Sequence, residues 1–364
     1  MVILVLASLL TWLGGSVRLP RFETGPDGER RRVFVTDADG TKTPVFEERN
    51  KFLNAQNLTQ LAKDTSFIAI MAVGMTFVII AGQIDLSVGS IYALAAVLSA
   101  LVLHQFGPDG SRATQGVAGA ILGTVLCFGT GLLCGLLNGL MIVALRVHPF
   151  IITLGTMAIY RGVAFIATRG QSVGVFPAPF RAVLADGRIP GFQFLGLPPL
   201  AVGGVSLVPL VLMVVVAATG GVVLSRRVFG RRIYAVGGNE LASRFSGIEV
   251  GGVKLKVFLV SGLTAGLAAW LSLGYYGSAT SGDGQGYELN VIAAAVVGGA
   301  SLSGGKGTAL GALMGALIIQ MISSGIIILG IDQNYSQIIV GAVVIVAVLM
   351  DQVNTWLARR RMLS

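Results

Sequence analysis

The sequence has 364 residues, of which 54% are hydrophobic, 12% are charged and 51 are glycine. Soluble domains are about one quarter charged, so this composition excludes a soluble enzyme or binding module and predicts an all-α, polytopic membrane protein. The net charge of +9 comes from scattered loops and the C-terminal arginines, which indicates membrane orientation and argues against nucleic-acid binding.

Long apolar runs predict about ten transmembrane helices in a single membrane domain that covers residues 1–364. The spans are expected to be helices because lipid offers the backbone no hydrogen-bond partners. Residues 1–17 lack the basic region and cleavage site of a signal peptide, so we interpret them as an uncleaved first span. The segment 288–302 fits either a span or a re-entrant or broken helix. The predicted spans are 1–17, 65–82, 86–104, 116–145, 150–168, 205–225, 255–275, 288–302, 308–330 and 335–356.

Residues 18–50 form the longest polar stretch, with seven basic and seven acidic side chains. The dipeptide Asp39-Gly40 predicts a small hairpin within it. We predict that this stretch is an extracytoplasmic loop. The run Arg30 to Arg32 disfavours that side under the positive-inside rule.

A second polar region runs from Arg226 to Lys256 and has seven basic residues against two acidic ones. Short loops with such an excess stay in the cytoplasm, so residues 226–256 are predicted to be a cytoplasmic loop. An even number of spans returns the C-terminus to the same side, together with Arg146 and Lys306. The predicted extracytoplasmic segments are then 18–64, 105–115, 169–204, 276–287 and 331–334.

A short helix with both ends marked lies inside the second polar region. Asn239 is a favourable N-cap, and Gly247 is suited to close the other end in the left-handed conformation. Glu240 in the first turn and Arg244 one turn later form an i,i+4 pair. One apolar face is shared by Leu241, Phe245 and Ile248. Such a helix either lies on the lipid surface or docks another protein.

Glycines recur at four-residue spacing, which lets helix backbones approach closely where lipid gives little drive for association. The repeats are Gly119/Gly123, Gly131/Gly135/Gly139 and Gly307/Gly311/Gly315. We favour packing within the chain over dimerisation, and small residues that line a permeation path would give the same pattern. Cys127 and Cys134 lie roughly 10 Å apart along one predicted helix, too far for a disulfide, and are interpreted as packing residues.

Polar side chains inside apolar runs are costly unless they are paired or line a wet cavity, so they mark a candidate substrate pathway. The candidates are Gln83, Asp85, Ser87, Asn138, Arg161, Glu288 and Asn290. Each also has a structural interpretation. Asp85 or Ser87 would cap the following helix. Arg161 would extend to the interface or pair with an acid, and Glu288 with Asn290 would start a helix.

Motifs of an enzyme are missing from the sequence. The segment Gly304-Gly305-Lys306-Gly307-Thr308 superficially resembles a phosphate loop, but Gly307 stands where Ser or Thr must follow the lysine. We therefore reject a nucleotide site. His104 and His148 have no carboxylate or cysteine cluster at metal-ligand spacing. No acidic relay suited to proton coupling is present, which weakens the hypothesis of an ion-driven transporter.

Four long segments together carry a family resemblance. They are AVGMTFVIIAGQIDLSVGS (72–90), HPFIITLGTMAIYRGVAFI (148–166), FGRRIYAVGGNELASRFSGI (229–248) and GYELNVIAAAVVGGASLSGGKGT (286–308). With these four segments in this order, the chain resembles the permease subunit of bacterial ATP-binding cassette importers for monosaccharides, of the ribose and xylose type. Branched-chain amino-acid permeases are a weaker match. Gln83 and the long 18–50 loop depart from the family pattern.

The resemblance implies a permease fold in the bacterial inner membrane and a set of partners. These are a cytoplasmic ATPase, an extracytoplasmic sugar-binding protein, and a second permease copy or a homologue. The chain itself would bind no cofactor, with ATP and magnesium held by the ATPase. The resemblance also implies a coupling helix that contacts the ATPase, with the candidate residues Asn239, Glu240, Leu241, Arg244, Phe245 and Gly247.

Two other classes of protein compete with this interpretation. A secondary transporter or facilitator that works alone would need an intramembrane ion site, and the glycine-rich interruptions at 82–90 and 298–307 would suit its broken helices. A structural scaffold without transport would leave the polar interruptions unexplained.

Overall fold

A computed structural model describes residues 1–20, 22–24, 30–36, 39, 42–189, 196, 198–202, 205–332 and 335–363. The helices are α1 (Val2–Leu13), α2 (Ala55–Ile80), α3 (Val88–Gln105), α4 (Gly116–Leu145), α5 (Pro149–Thr168), α6 (Ala178–Leu184), α7 (Val208–Arg226), α8 (Val228–Gly238), α9 (Glu240–Phe245), α10 (Val250–Tyr276), α11 (Tyr287–Val297), α12 (Ala309–Ile328) and α13 (Tyr335–Leu363). The strands are β1 (Ser16–Pro20), β2 (Phe22–Thr24), β3 (Arg30–Arg32), β4 (Phe34–Thr36), β5 (Lys42–Pro44), β6 (Phe46–Asn50), β7 (Val173–Gly174), β8 (Ala201–Val202), β9 (Val205–Ser206) and β10 (Ser278–Ala279).

Within the described residues, seven helices are long and apolar enough to cross a membrane: α2, α3, α4 with its preceding turn, α5, α7, α10 and α12. Seven of the predicted spans are therefore confirmed as helices, but the count of ten is not. Helix α1 has 12 residues and α11 has 11, whereas a span needs about 20. Helix α13 runs from Tyr335 to Leu363, and among the described residues its stretch Tyr335–Val346 counts only as a shorter apolar helix. The broken-helix alternative for 288–302 agrees with the shortness of α11.

Two spans begin earlier than the sequence predicts. Helix α2 starts at Ala55 rather than at residue 65, although Lys63 and Asp64 make that part of the sequence polar. The Lys63 ammonium lies 3.3 Å from the ring centroid of Tyr275, and the Tyr276 hydroxyl donates to Asp64 Oδ1 at 3.3 Å. Helix α10 starts at Val250 rather than at residue 255. Distant aromatic partners thus stabilise a charged helix segment.

Residues 1–61 and 320–336 form one compact unit. In it, β1 pairs with β6, β2 with β3, and β4 with β5, all antiparallel. The β4–β5 pair confirms the predicted hairpin around Asp39, while Gly40 lies outside the described residues. Asn50 Nδ2 donates to Thr11 O at 2.8 Å, which ties β6 to α1.

Residues 62–319 and 337–364 form the second unit, which contains a glycine-lined contact between α4 and α10. A Cβ added at Gly131 would lie 3.0 Å from Gly266 Cα, and one at Gly135 would lie 3.3 Å from Gly262 Cα. These positions need glycine because the helix backbones touch. The prediction of packing within the chain is confirmed here. Cys127 and Cys134 are buried free thiols, as predicted.

Loops of the second unit gather at the two ends of α4. At one end, β7 pairs with β10, and His104 Nδ1 lies 2.7 Å from Gly174 O. At the other end, Gln83, Arg146 and Glu240 line one cavity. The structure thus brings together β7 of the predicted segment 169–204 and β10 of 276–287 at one end, and Arg146 with Glu240 of the predicted loop 226–256 at the other.

Candidate coupling helix and polar clusters

The ends of helix α9 are those that the sequence predicts. Asn239 Oδ1 accepts a hydrogen bond from Ala242 N at 2.9 Å, which satisfies one of the free donors of the first turn. Gly247 has φ +79°, and its N–H donates to Arg244 O at 3.1 Å. These local bonds close both ends of a six-residue helix.

The apolar face of α9 differs from the prediction at one position. Leu241 is 64% exposed and Phe245 is 83% exposed, but Ile248 is half-buried and packs against the hydrophobic core. The left-handed Gly247 redirects the chain after the helix, so Ile248 does not continue the exposed face. The helix therefore presents two large apolar side chains to the outside.

The polar face of α9 is fixed to α10. Glu240 forms the predicted ion pair with Arg244 at 3.8 Å and a shorter one with Lys254 Nζ at 2.9 Å. The Lys254 side chain is only 18% exposed. Sequence reasoning missed Lys254 as the partner because it lies on another helix at no regular spacing from Glu240.

A cavity of about 780 Å³ separates α9 from the ends of α2 and α4. Its polar lining consists of Gln83, Arg146, His148, Glu240, Arg244 and Lys254. Three of these are permanent cations against one acid, so the cavity favours negative charge or neutral polar groups. Gln83 Nε2 donates to Gly82 O at 3.0 Å, whereas Gln83 Oε1 is buried and has no hydrogen-bond partner among the described residues.

Asp85 and Ser87 lie in the segment between α2 and α3, inside the core. Asp85 is completely buried. Its Oδ1 accepts from Ser87 N at 3.0 Å and from Ser87 Oγ at 2.6 Å, and its Oδ2 accepts from Ser261 Oγ at 2.8 Å. Ser87 is the N-cap residue of α3, but no side chain makes a capping hydrogen bond there, so the predicted cap is wrong: Asp85 accepts from the amide of Ser87 itself, ahead of the first helical turn. The bond to Ser261 ties this turn to α10.

The same network continues into α4 and α5. Asn138 Nδ2 donates to Ser87 Oγ at 2.7 Å, and the Tyr160 hydroxyl donates to Asn138 Oδ1 at 3.1 Å. Three candidates that are far apart in sequence, Asp85, Ser87 and Asn138, therefore meet. Tyr160 and Ser261 were missed because a single hydroxyl in an apolar helix has no distinguishing pattern. We call these five residues the Asp85 network.

The remaining candidates lie near the loop after α10. Arg161 Nη1 donates to the carbonyls of Ser281 at 2.8 Å and Asp283 at 2.6 Å, so this cation holds the backbone of that loop. Glu288 Oε1 accepts from Gly286 N at 3.3 Å, which agrees with a helix-starting role. Asn290 is half-buried on α11. The seven candidates thus occupy three places: the cavity, the Asp85 network and this loop.

This arrangement defines a class of protein. Apolar helices of spanning length surround the hydrogen-bonded Asp85 network, and one end carries a capped helix with exposed apolar side chains. These features are typical of a multi-pass membrane transport subunit.

Comparisons with known proteins identify the family. Residues 57–348 match the family described as branched-chain amino acid transport system / permease component. The ribose import permease protein RbsC of Bacillus subtilis is 38% identical over 83% of this chain and 86% of the relative. The ribose import permease protein RbsC of Escherichia coli K12 is 37% identical over 82% and 87%. The D-allose transport system permease protein AlsC of Escherichia coli K12 is 35% identical over 83% and 85%.

The chain belongs to this family of transport permease components. It is a multi-pass protein of the inner membrane and a permease subunit of an ATP-binding cassette importer, not an enzyme. Membership of the import permeases implies association with an ATPase and a substrate-binding protein. No solved structure matches the chain.

Proposed function

We propose that this chain moves a monosaccharide across the cytoplasmic membrane while a separate ATPase subunit hydrolyses ATP. The observation that carries the proposal is the geometry of α9, a capped helix whose Leu241 and Phe245 are exposed at the end of the subunit that carries the basic loops. The relatives are named as ribose import and D-allose transport permeases, and these names support a sugar as the substrate.

Helix α9 acts in this proposal as the coupling helix. Leu241 and Phe245 would enter a groove of the ATPase, while Asn239 and Gly247 hold the helix ends. Glu240 and Arg244 orient the helix against α10 through Lys254. An exposed apolar pair of this kind favours a protein partner. ATP and magnesium would be bound by that partner and no cofactor by this chain.

The substrate pathway would use polar groups that the core leaves available. Gln83 is the strongest candidate, because its buried Oε1 has no partner among the described residues and the side chain lines the 780 Å³ cavity. Asp85, Ser87 and Asn138 are engaged with one another, so we assign them the task of shaping the pathway. Arg161, Glu288 and Asn290 would serve at the extracytoplasmic end, where a binding protein delivers sugar.

The complete importer would contain two permease subunits, either two copies of this chain or this chain with a homologue. A stand-alone secondary transporter is the competing function. It is disfavoured because the buried carboxylate of Asp85 already accepts three hydrogen bonds and belongs to a closed network rather than to an ion path.

Reconstitution separates these two functions. The chain is placed in proteoliposomes with an ATPase and a binding protein encoded beside it, and uptake of labelled ribose and allose is measured. We expect uptake to need ATP hydrolysis and all three components, and the chain alone to hydrolyse no ATP. Uptake by the chain alone that a protonophore abolishes would contradict the importer and support the secondary transporter.

Sidedness is tested separately with an impermeant thiol reagent in intact cells. Ser246→Cys and Thr43→Cys are suitable because both positions are exposed, whereas Ser243 is buried. Both are introduced after Cys127 and Cys134 have been replaced by alanine. We expect labelling of T43C only, since α9 faces the cytoplasm. Labelling of S246C from outside would invert the topology.

A further inference from the structure

The motif Gly304-Gly305-Lys306-Gly307, which the sequence excludes as a nucleotide site, lies directly against the segment that leads into the coupling helix. Helix α8 ends with Gly237 and Gly238, directly before Asn239, the N-cap of α9. Gly305 N donates to Ile80 O, the last residue of α2, at 2.8 Å. The Tyr234 hydroxyl donates to Gly307 O at 2.7 Å. Three chain segments thus meet immediately beside α9.

The contact is made by backbone atoms. A Cβ at Gly237 would lie 2.7 Å from Gly305 N and would collide with Ile80 O, and a Cβ at Gly304 would lie 2.5 Å from Gly237 O. Real Cβ atoms do not approach so closely, so Gly237 and Gly304 cannot carry a side chain without displacing the neighbouring backbone. We call Ile80, Gly237, Gly304 and Gly305 the glycine joint.

Beyond the joint, the motif connects α11 to the apolar helix α12. Its segment starts at the end of α11, where a Cβ at Gly298 would lie 2.8 Å from Ala312 N of α12. A Cβ at Gly315 would likewise lie 2.9 Å from Gly298 N. Close backbone packing without intervening side chains leaves no flexible group to absorb a displacement. Helix α8 therefore cannot shift toward these segments without displacing the end of α2 or the α11–α12 connection.

We infer that the glycine joint transmits movement of the coupling helix to the membrane helices, and that Gly237, Gly304 and Tyr234 are positioning residues for transport. This inference rests on the proposed function. Gln83, which lines the cavity, follows Ile80 by three residues, so the joint adjoins the cavity that Glu240 and Lys254 also line. Docking of the ATPase would use Leu241 and Phe245, and the joint would convert docking into movement.

The test measures sugar imported per ATP hydrolysed in proteoliposomes that contain the ATPase and the binding protein. Gly237→Ala should bind the ATPase as wild type does and continue to hydrolyse ATP, with the ratio lowered roughly 5–150-fold, the usual range of coupling between two sites. Gly238→Ala is the matched control, because no described atom lies within 4 Å of its Cβ position. Its ratio should equal that of wild type.

Tyr234→Phe keeps the test valid if Gly237→Ala fails to fold. It removes only the hydroxyl that bonds to Gly307 O, and the ratio should fall about fivefold, the equivalent of one net hydrogen bond. If Gly237→Ala folds and keeps the wild-type ratio, the inference is wrong and the joint only packs the helices. If Gly237→Ala merely reduces the amount of complex, a wild-type ratio in Tyr234→Phe has the same consequence. Absence of ATP-dependent uptake in wild type would instead refute the proposed function.

Discussion

The Asp85 network and helix α9 differ in where they place polar and apolar side chains. Asp85 is fully buried and accepts three hydrogen bonds, while Phe245 is 83% exposed. A buried carboxylate is tolerated when its hydrogen bonds are complete. An exposed phenyl ring costs little in an isolated subunit and becomes favourable when a partner covers it.

The difference separates two kinds of residue that look equally anomalous in sequence. Polar groups of the network serve the folded subunit, because all their bonds are internal. Under the proposed function, the apolar groups of α9 serve the assembled transporter, whereas α9 itself is held by its caps and by the Glu240–Lys254 pair. Substitutions in the two regions should therefore change different measured quantities.

The largest effect is expected for Asp85→Ala. It orphans the amide of Ser87 and the hydroxyls of Ser87 and Ser261, and each buried donor without an acceptor costs about 1–3 kcal/mol. The thermal unfolding temperature of the purified subunit in detergent should fall sharply. Asp109→Ala, at an exposed position, is the control and should leave it unchanged. An unchanged unfolding temperature in D85A would show that the network does not stabilise the fold.

Phe245→Ala should act on association instead. Loss of a buried aromatic anchor weakens an interface by about 1–3 kcal/mol, which corresponds to roughly 5–150-fold in the Kd for the ATPase. The unfolding temperature of the isolated subunit should not change. Phe165→Ala removes an equally large exposed ring from α5 and should leave the Kd at the wild-type value. Equal affinity of F245A and wild type would remove α9 from the interface.

A smaller effect is expected for Gly247→Val. The left-handed conformation at φ +79° costs a residue with a Cβ about 1–2 kcal/mol, so the end of α9 should fray and the Kd for the ATPase should rise. Gly247→Asn is the matched variant, since asparagine tolerates this region. Association should rank wild type, then G247N, then G247V. Identical binding by G247N and G247V would show that the αL end is unimportant.

The smallest effect is expected for Glu240→Gln. Partly exposed ion pairs contribute about 0.2–1 kcal/mol and weaken with salt. Stability should fall slightly at low ionic strength and converge with wild type in high salt. Differential scanning fluorimetry across a salt series measures this. A loss that persists in high salt would indicate that the contact with Lys254 is not mainly electrostatic.

Local signals explain which parts were predictable from sequence. The caps of α9 lie within eight residues of each other, so Asn239 and Gly247 could be assigned without tertiary information. Helix α4 spans the predicted residues 116–145 because polar segments bound its apolar run on both sides. The predicted start of α2 at residue 65 was wrong because Lys63 is stabilised by Tyr275, which lies more than two hundred positions away in sequence.

The candidate site was predictable residue by residue but not as an arrangement. The cost of polar groups in lipid identified Asp85, Ser87 and Asn138, whereas their meeting depends on how α3, α4 and α10 pack. Tyr160 and Ser261 carry hydroxyls that many apolar helices tolerate singly, so no pattern marked them. Ile248 was misassigned because the turn at Gly247 breaks the helical periodicity on which the face was based.

The glycine-lined contact between α4 and α10 also restricts how this pair can move. Gly131 and Gly135 meet Gly262 and Gly266 backbone to backbone, so sliding by one residue, about 1.5 Å, would drive a side chain into a main chain. Only a jump of four residues, roughly 6 Å, would bring glycines back into register. Continuous sliding of α4 along α10 is therefore blocked. We expect the two helices to move as one rigid body during each transport cycle.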